Sequence, residues 1–188
     1  MLSRSLAAAV VFSTLACASG LPKGMIINPQ WVDELAFEKA AAAPELGFAV
    51  TLPDRQWVAK RDYVYGEMMS FRLESPLRDA FIELLEYRTG EKAAGGPQVH
   101  AERLRKAYIG FGIEPSAIAA GEDGRSAQFG YEMRTGWTTK AAKRVIAVWL
   151  PGAVDTLLIF RGEWPPERDA ELTPEMRKIV DSVRVLER

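Results

Sequence analysis

His100 is the one histidine in these 188 residues, and histidine alone titrates near neutrality without help from its surroundings, so general acid–base chemistry would look to it first. It stands beside Val99 in a stretch of helical spacing, with no partner set around it, which reads as a solvent-facing or internally satisfied side chain. A zinc centre takes three or four ligands, and one histidine with one cysteine, Cys17, offers too few of the usual donors. A Ser-His-Asp triad would have to use His100, yet no serine lies in the turn context that exposes a nucleophile. Gly110-Phe111-Gly112 lacks the third glycine and the preceding strand of a dinucleotide loop and fits a helix end instead. The acid pairs Asp33-Glu34 and Glu122-Asp123 have the character of solvated surface. No catalytic residue, metal ligand or cofactor is assigned on these grounds.

Tryptophan is the more informative residue type. Trp57, Trp137, Trp149 and Trp164 fall near expected strand ends, where an indole either serves as a core pillar or lines a ligand groove, while Trp31 stands apart from them. Arg134 and Arg161, on or beside strands, would border such a groove. These six residues form the candidate binding surface, with core packing of the indoles as the competing reading.

Position decides the reading of Cys17. Arg4 is followed by the uncharged run Leu6–Ala16 and then by small residues, the three-part pattern of a secretory signal. The run is too short for a hydrocarbon core of about 30 Å, which takes about 20 helical residues. Ser13-Thr14-Leu15-Ala16-Cys17-Ala18-Ser19-Gly20 resembles the lipobox of bacterial lipoproteins. That resemblance implies cleavage before Cys17 and S-acylation of its thiol, although Thr14 stands where the family prefers Leu. Ala16-Cys17-Ala18 also fits ordinary signal peptidase, which would release a soluble protein. A lone thiol in an oxidising compartment would stay free and reactive, a liability that acylation removes. The expected organisation is a signal peptide over 1–16, a lipidated tether over 17–30 with Gly20, Pro22, Gly24 and Pro29, and a single domain over 31–188. The expected location is the periplasmic side of the cell envelope, with secretion as a soluble protein as the alternative.

Composition agrees with one globular domain: 48% of residues are hydrophobic and 26% charged. The 24 basic and 25 acidic side chains nearly cancel and form no long runs, which argues against a nucleic-acid partner.

The elements that must position these residues follow from periodicity. Leu46, Phe48, Val50 and Leu52 share one face of a strand ended by Pro53-Asp54, and Met69, Phe71 and Leu73 mark another. Residues 79–88 are apolar on both faces, as in a central strand, although a helix would also tolerate the stretch. Beyond Gly95-Gly96-Pro97, the spacing of Val99, Arg103, Leu104, Ala107, Tyr108 and Phe111 predicts an amphipathic helix. Residues 126–134 alternate cleanly, with Ser126, Gln128, Gly130, Glu132 and Arg134 on the polar face. Val145–Leu150 and Val154–Phe160 flank Pro151-Gly152-Ala153 as a hairpin. Thr173 as N-cap, Pro174 at the first helical position, and Met176, Ile179, Val180 and Val183 predict a closing helix. Ala40–Ala43 reads as a short helix or linker. The class is α+β, an antiparallel sheet of about six strands with helices packed on it.

Gly47-Phe48-Ala49-Val50-Thr51-Leu52-Pro53 with Trp57, the late strand pair and Ile179-Val180-Asp181-Ser182-Val183-Arg184 resemble the bacterial PsbP-like or DcrB-like α/β/α sandwich domains over residues 44–186. That resemblance implies a non-catalytic accessory or binding protein, and because fold does not transfer function, no active site is carried over from it. The expected function is that of a lipid-anchored accessory or binding protein of the envelope without catalytic activity, whose partners are the membrane through Cys17 and another envelope protein. The alternative is a secreted hydrolase with an unrecognised carboxylate site.

Overall fold

The computed structural model describes residues 40–43, 46–59, 64–65, 68–69, 71–121, 123–135, 139–153 and 155–186. The expected signal, Cys17, the tether, Trp31 and Trp137 lie outside them. The described strands are β1 (Ala40–Ala43), β2 (Phe48–Thr51), β3 (Val58–Ala59), β4 (Val64–Tyr65), β5 (Met68–Met69), β6 (Arg72–Ser75), β7 (Ala80–Thr89), β8 (Ala119–Ala120), β9 (Ser126–Thr135), β10 (Thr139–Trp149), β11 (Thr156–Trp164) and β12 (Arg184–Val185). The helices are α1 (Gly96–Gly110), between β7 and β8, and α2 (Asp169–Asp181), between β11 and β12.

Seven strands form the main sheet in the order β3-β6-β7-β11-β10-β9-β8, every pair antiparallel. The most apolar strands lie at its middle because they are covered on both faces. One face of β10 and β11, with Val145, Ala147, Leu157 and Ile159, packs with Phe129 and Tyr131 of β9 under Ala101 and Leu104 of α1. The opposite face, with Ile146, Val148, Leu158 and Phe160, packs under Leu172, Met176, Ile179 and Val180 of α2. A small sheet, β1-β2-β12, closes the α2 side, where Phe48 meets Phe71 and Phe160 edge-on at 5.1 and 6.0 Å between ring centres. The architecture is the expected α/β/α sandwich.

Local expectations fail at four places. Met69, expected in one strand with Phe71 and Leu73, lies in β5, which pairs with β4 in a separate two-stranded sheet, while Leu73 belongs to β6 of the main sheet. Ala40–Ala43 is a strand paired with β2, with Ala41 fully buried; four alanines favour helix by intrinsic preference, and pairing overrides it. Val99 of α1 stands 50% exposed, and Phe111, just past the end of the helix, 82%; the buried stripe keeps the expected Leu104 but runs through His100 and Ala101. Helix α2 starts at Asp169, so Thr173 is no N-cap and Pro174 lies inside the helix. The Thr173 hydroxyl donates to Asp169 Oδ1 at 3.0 Å, so its capping chemistry serves a residue one turn earlier.

Candidate functional site

Further along the strands that carry the α1-side core, the same face of the sheet becomes charged. Antiparallel register sets the charges in two rows. Arg72 of β6 stands opposite Glu83 of β7, which stands opposite Arg161 of β11. In the next row Glu74 and Glu163 flank Phe81, and Lys143 of β10 sits between Glu163 and Tyr131 of β9. Cross-strand neighbours on one face lie about 4.5–5.5 Å apart at Cβ, so opposite charges meet directly. Arg161 bonds Glu83, Arg72 approaches Glu83 at 3.5 Å, and Lys143 Nζ lies 2.7 Å from Glu163. The Arg72 guanidinium also lies over the Phe81 ring, 3.9 Å from its centre.

Lys143 and Glu83 are only 7% and 8% exposed, so this is a partly desolvated lattice. Ions removed from water are tolerated when paired and hydrogen-bonded, and each partner here is supplied from an adjacent strand. Burial opposes the Arg161 charge, but Glu83 outweighs it and holds the guanidinium above its usual pKa. Burial and the hydrogen bond with Tyr108 push the Tyr131 phenol well above the usual range, so it stays protonated. Arg161 Nε is buried and has no acceptor among the described residues, leaving one donor of the lattice unmet. The lattice can offer directional polar contacts and fixed charges; its buried phenol is held away from proton exchange near neutrality.

On the α2 face, charge fastens the helix. Trp164 Nε1 donates to Asp169 Oδ1 at 3.0 Å, and Trp57 Nε1 donates to Glu175 Oε2 at 2.8 Å. Glu175 also accepts from the buried Arg78 at 2.7 Å. Arg144 reaches Asp169 across Gly130, where an added Cβ would lie 1.8 Å from its guanidinium. Burial would raise the Asp169 pKa, but the bonds from Arg144, Trp164 and Thr173 win and hold it below the usual carboxylate range.

The candidate surface read from the sequence therefore divides. Trp57 and Trp164 are fully buried on the α2 side. Trp149 is half-buried on the opposite face, where Gly96 of α1 comes so close that an added Cβ would sit 3.0 Å from the indole. Arg161 belongs to the charged lattice, and Arg134 is exposed on β9. No single groove unites them among the described residues. Glu83, Lys143, Glu163 and Arg72 were not singled out by sequence, although Lys143, Arg161 and Glu163 interrupt otherwise apolar strands at alternate positions. Two surface clefts, of about 570 and 620 Å³, are lined by Arg177, Ser126 and Arg125 and by Arg144, Asp169 and Glu132 respectively. Arg177 and Arg144 are already bonded to Asp181 and Asp169. Among the described residues, no group of three or more His, Cys, Asp or Glu side chains is placed to hold a metal ion.

His100 is buried, at 6% exposure, with Nε2 3.2 Å from the Ala94 carbonyl. That geometry places the ring proton on Nε2, as donor. Burial lowers its pKa below the usual 6.5. The folded state therefore favours the neutral ring: its contribution to stability is complete above pH 6.5 and is lost as the pH falls from there through the lowered folded value. We expect His100→Ala to fold, to lose about 1 kcal/mol with the Ala94 bond, and to flatten the decline of melting temperature below pH 6.5. Melting curves of both proteins across that range check this. An unchanged pH slope would show that His100 is not the group responsible.

No protein-family model matches the chain, and no curated protein matches it. Solved structures do. The Ran-binding protein Mog1p of Saccharomyces cerevisiae superposes with a TM-score of 0.55 at 9% identity, covering 79% of this chain and 95% of that one. A point mutant of Mog1 gives 0.51 at 10% identity, over 75% and 92%. The solution structure of cyanobacterial PsbP (CyanoP) from Synechocystis gives 0.49 at 14% identity, over 78% and 91%. Similarity at such identities is one of architecture and transfers no residue's role. In fold, this chain is similar to Mog1p.

Proposed function

We propose that the protein is a non-catalytic binding or accessory protein of the cell envelope, held to a membrane by a lipid on Cys17. The observation that carries the binding half is the charged lattice on the α1 side of the sheet. Its charges neutralise one another in pairs, so it presents an ordered polar surface of low net charge, suited to a partner's polar groups. Mog1p, described as a Ran-binding protein, supports the view that this architecture can serve protein recognition. The location half rests on Arg4, the apolar run Leu6–Ala16, and Cys17 at its end. Among the described residues no helix is long and apolar enough to cross a membrane, so the lipid would be the anchor.

The test is fractionation of cells producing the parent or Cys17→Ser. The parent is expected in the membrane pellet, resistant to high salt, and the variant in the soluble fraction. A variant that stays in the pellet at high salt overturns the lipid anchor. Complementation of a deletion strain by folded His100→Ala supports the non-catalytic reading, and failure of that variant to complement overturns it.

A further inference from the structure

Strand β9 is paired along its whole length on one side only. Its backbone groups at odd positions face β10, as the bond from Trp149 N–H to the Arg125 carbonyl in the same register requires. Those at even positions face outward. Three of them are met: the Ser126 carbonyl accepts from Gly121, Gln128 pairs with Ala119 of β8, and Gly130 exchanges bonds with Ser116. Beyond Gly130, nothing among the described residues pairs with the outward groups of Glu132 and Arg134. A row of unmet N–H and C=O groups is a template for another strand.

The side chains on this edge say which strand. Glu132 and Arg134 are both exposed, on the α2 face, and neither has an ion pair within the described chain. Arg134 stands directly opposite Lys140 of β10, a like-charge pair that lacks a carboxylate, while Glu132 stands opposite Ala142. A carboxylate brought to the free side of Arg134 would relieve that repulsion.

We propose that the β9 edge pairs antiparallel with the β9 edge of a second copy of this chain, about a two-fold axis at Met133. In that register Glu132 of each copy stands opposite Arg134 of the other, and both belong to the set whose backbone groups point outward. The pairing forms backbone bonds and two symmetric ion pairs at once, on an interface that is its own complement. The sequence order acidic–apolar–basic is what makes the edge self-complementary. The two main sheets would join into one, with α1 of both copies on the same side. The proposal does not depend on the lipid anchor, so either can fail without the other.

The full chain carrying Cys17→Ser, which also removes its only cysteine, is the protein to test. Sedimentation across a concentration series is expected to show a reversible dimer. Glu132→Arg alone or Arg134→Glu alone should weaken it by about tenfold or more, since each sets two like-charge pairs at the axis. The double variant Glu132→Arg/Arg134→Glu should restore it, because the exchange preserves both pairs. Met133→Cys provides an independent readout. Residues facing across a non-hydrogen-bonded antiparallel pair lie about 4.5 Å apart at Cα, within disulfide range. That variant should therefore give a disulfide-linked dimer under mild oxidation, and Glu102→Cys, on the exposed side of α1, should not. A protein that remains monomeric at every concentration, a dimer insensitive to both charge reversals, or an edge that captures only an extended peptide would each overturn the proposal.

Discussion

Ile179→Asp is expected to lower the melting temperature by about 8–20 °C, because it sets a carboxylate into the core under α2 with nothing to pair with. Ile179 is fully buried, and its neighbours in that cluster are Leu172, Met176, Val180 and the sheet residues Leu158 and Phe160, all apolar. A buried unpaired charge sits at the severe end of point substitutions, about 4–5 kcal/mol, and a domain of this size shifts by about 2–4 °C per kcal/mol. Thermal unfolding followed by circular dichroism measures it. Ile179→Val, which removes one methyl group, is the control and should lose about 0.5–1.5 kcal/mol. The pH dependence separates charge from shape. Burial raises the new carboxyl's folded pKa, so the charge penalty is full above that value and fades as the pH falls through it. The gap between variant and parent should therefore narrow in acid. A drop no larger than the control's would mean that α2 does not seal this side of the sheet.

Gly162→Ala should be the next most damaging change, although it adds one methyl group. A Cβ at position 162 would lie 2.3 Å from Cζ3 of Trp164 and 2.7 Å from the Met176 sulfur. Met176 is flexible, but the indole is not free to retreat, since it is buried and its Nε1 is bonded to Asp169. Overpacking of this kind removes about 3 kcal/mol at the upper end of its range, or about 6–12 °C. If the indole is the obstacle, the same substitution in a Trp164→Leu background should be nearly silent. Additive losses in the double variant would place the strain elsewhere.

The fold class could be read from the chain, and so could the elements whose periodicity is long. Residues 126–134 alternate for nine positions, and Val145–Phe160 carries a hairpin signal between two apolar runs. Short-range signals failed where a long-range contact outweighed them. The alanine run of β1 became a strand because β2 lay beside it. The start of α2 moved back one turn because Asp169 found Arg144 and Trp164, partners 25 and 5 residues away. The tryptophans could be expected near strand ends, but which carboxylates would receive their indole N–H groups depended on tertiary contact. The charged lattice lay in the alternation of Lys143, Arg161 and Glu163 with apolar neighbours. Only register, which no local pattern specifies across β7, β11 and β10, turns those isolated charges into rows.

The closing of β2 by the far end of the chain bears on when this protein can fold. Ser182 Oγ accepts from the Thr51 N–H across 131 residues of sequence, and Arg184 and Val185 pair with Ala49 and Phe48. Strand β2, already paired with β1 on one side, gains its second neighbour only from the far end of the chain. Until residue 185 has been made, Phe48 and Val50 lack part of their cover, and bringing such distant segments together is an entropic barrier that slows folding. The small sheet β1-β2-β12 is therefore completed only when the end of the chain is in place, while the seven-stranded sheet forms without β12.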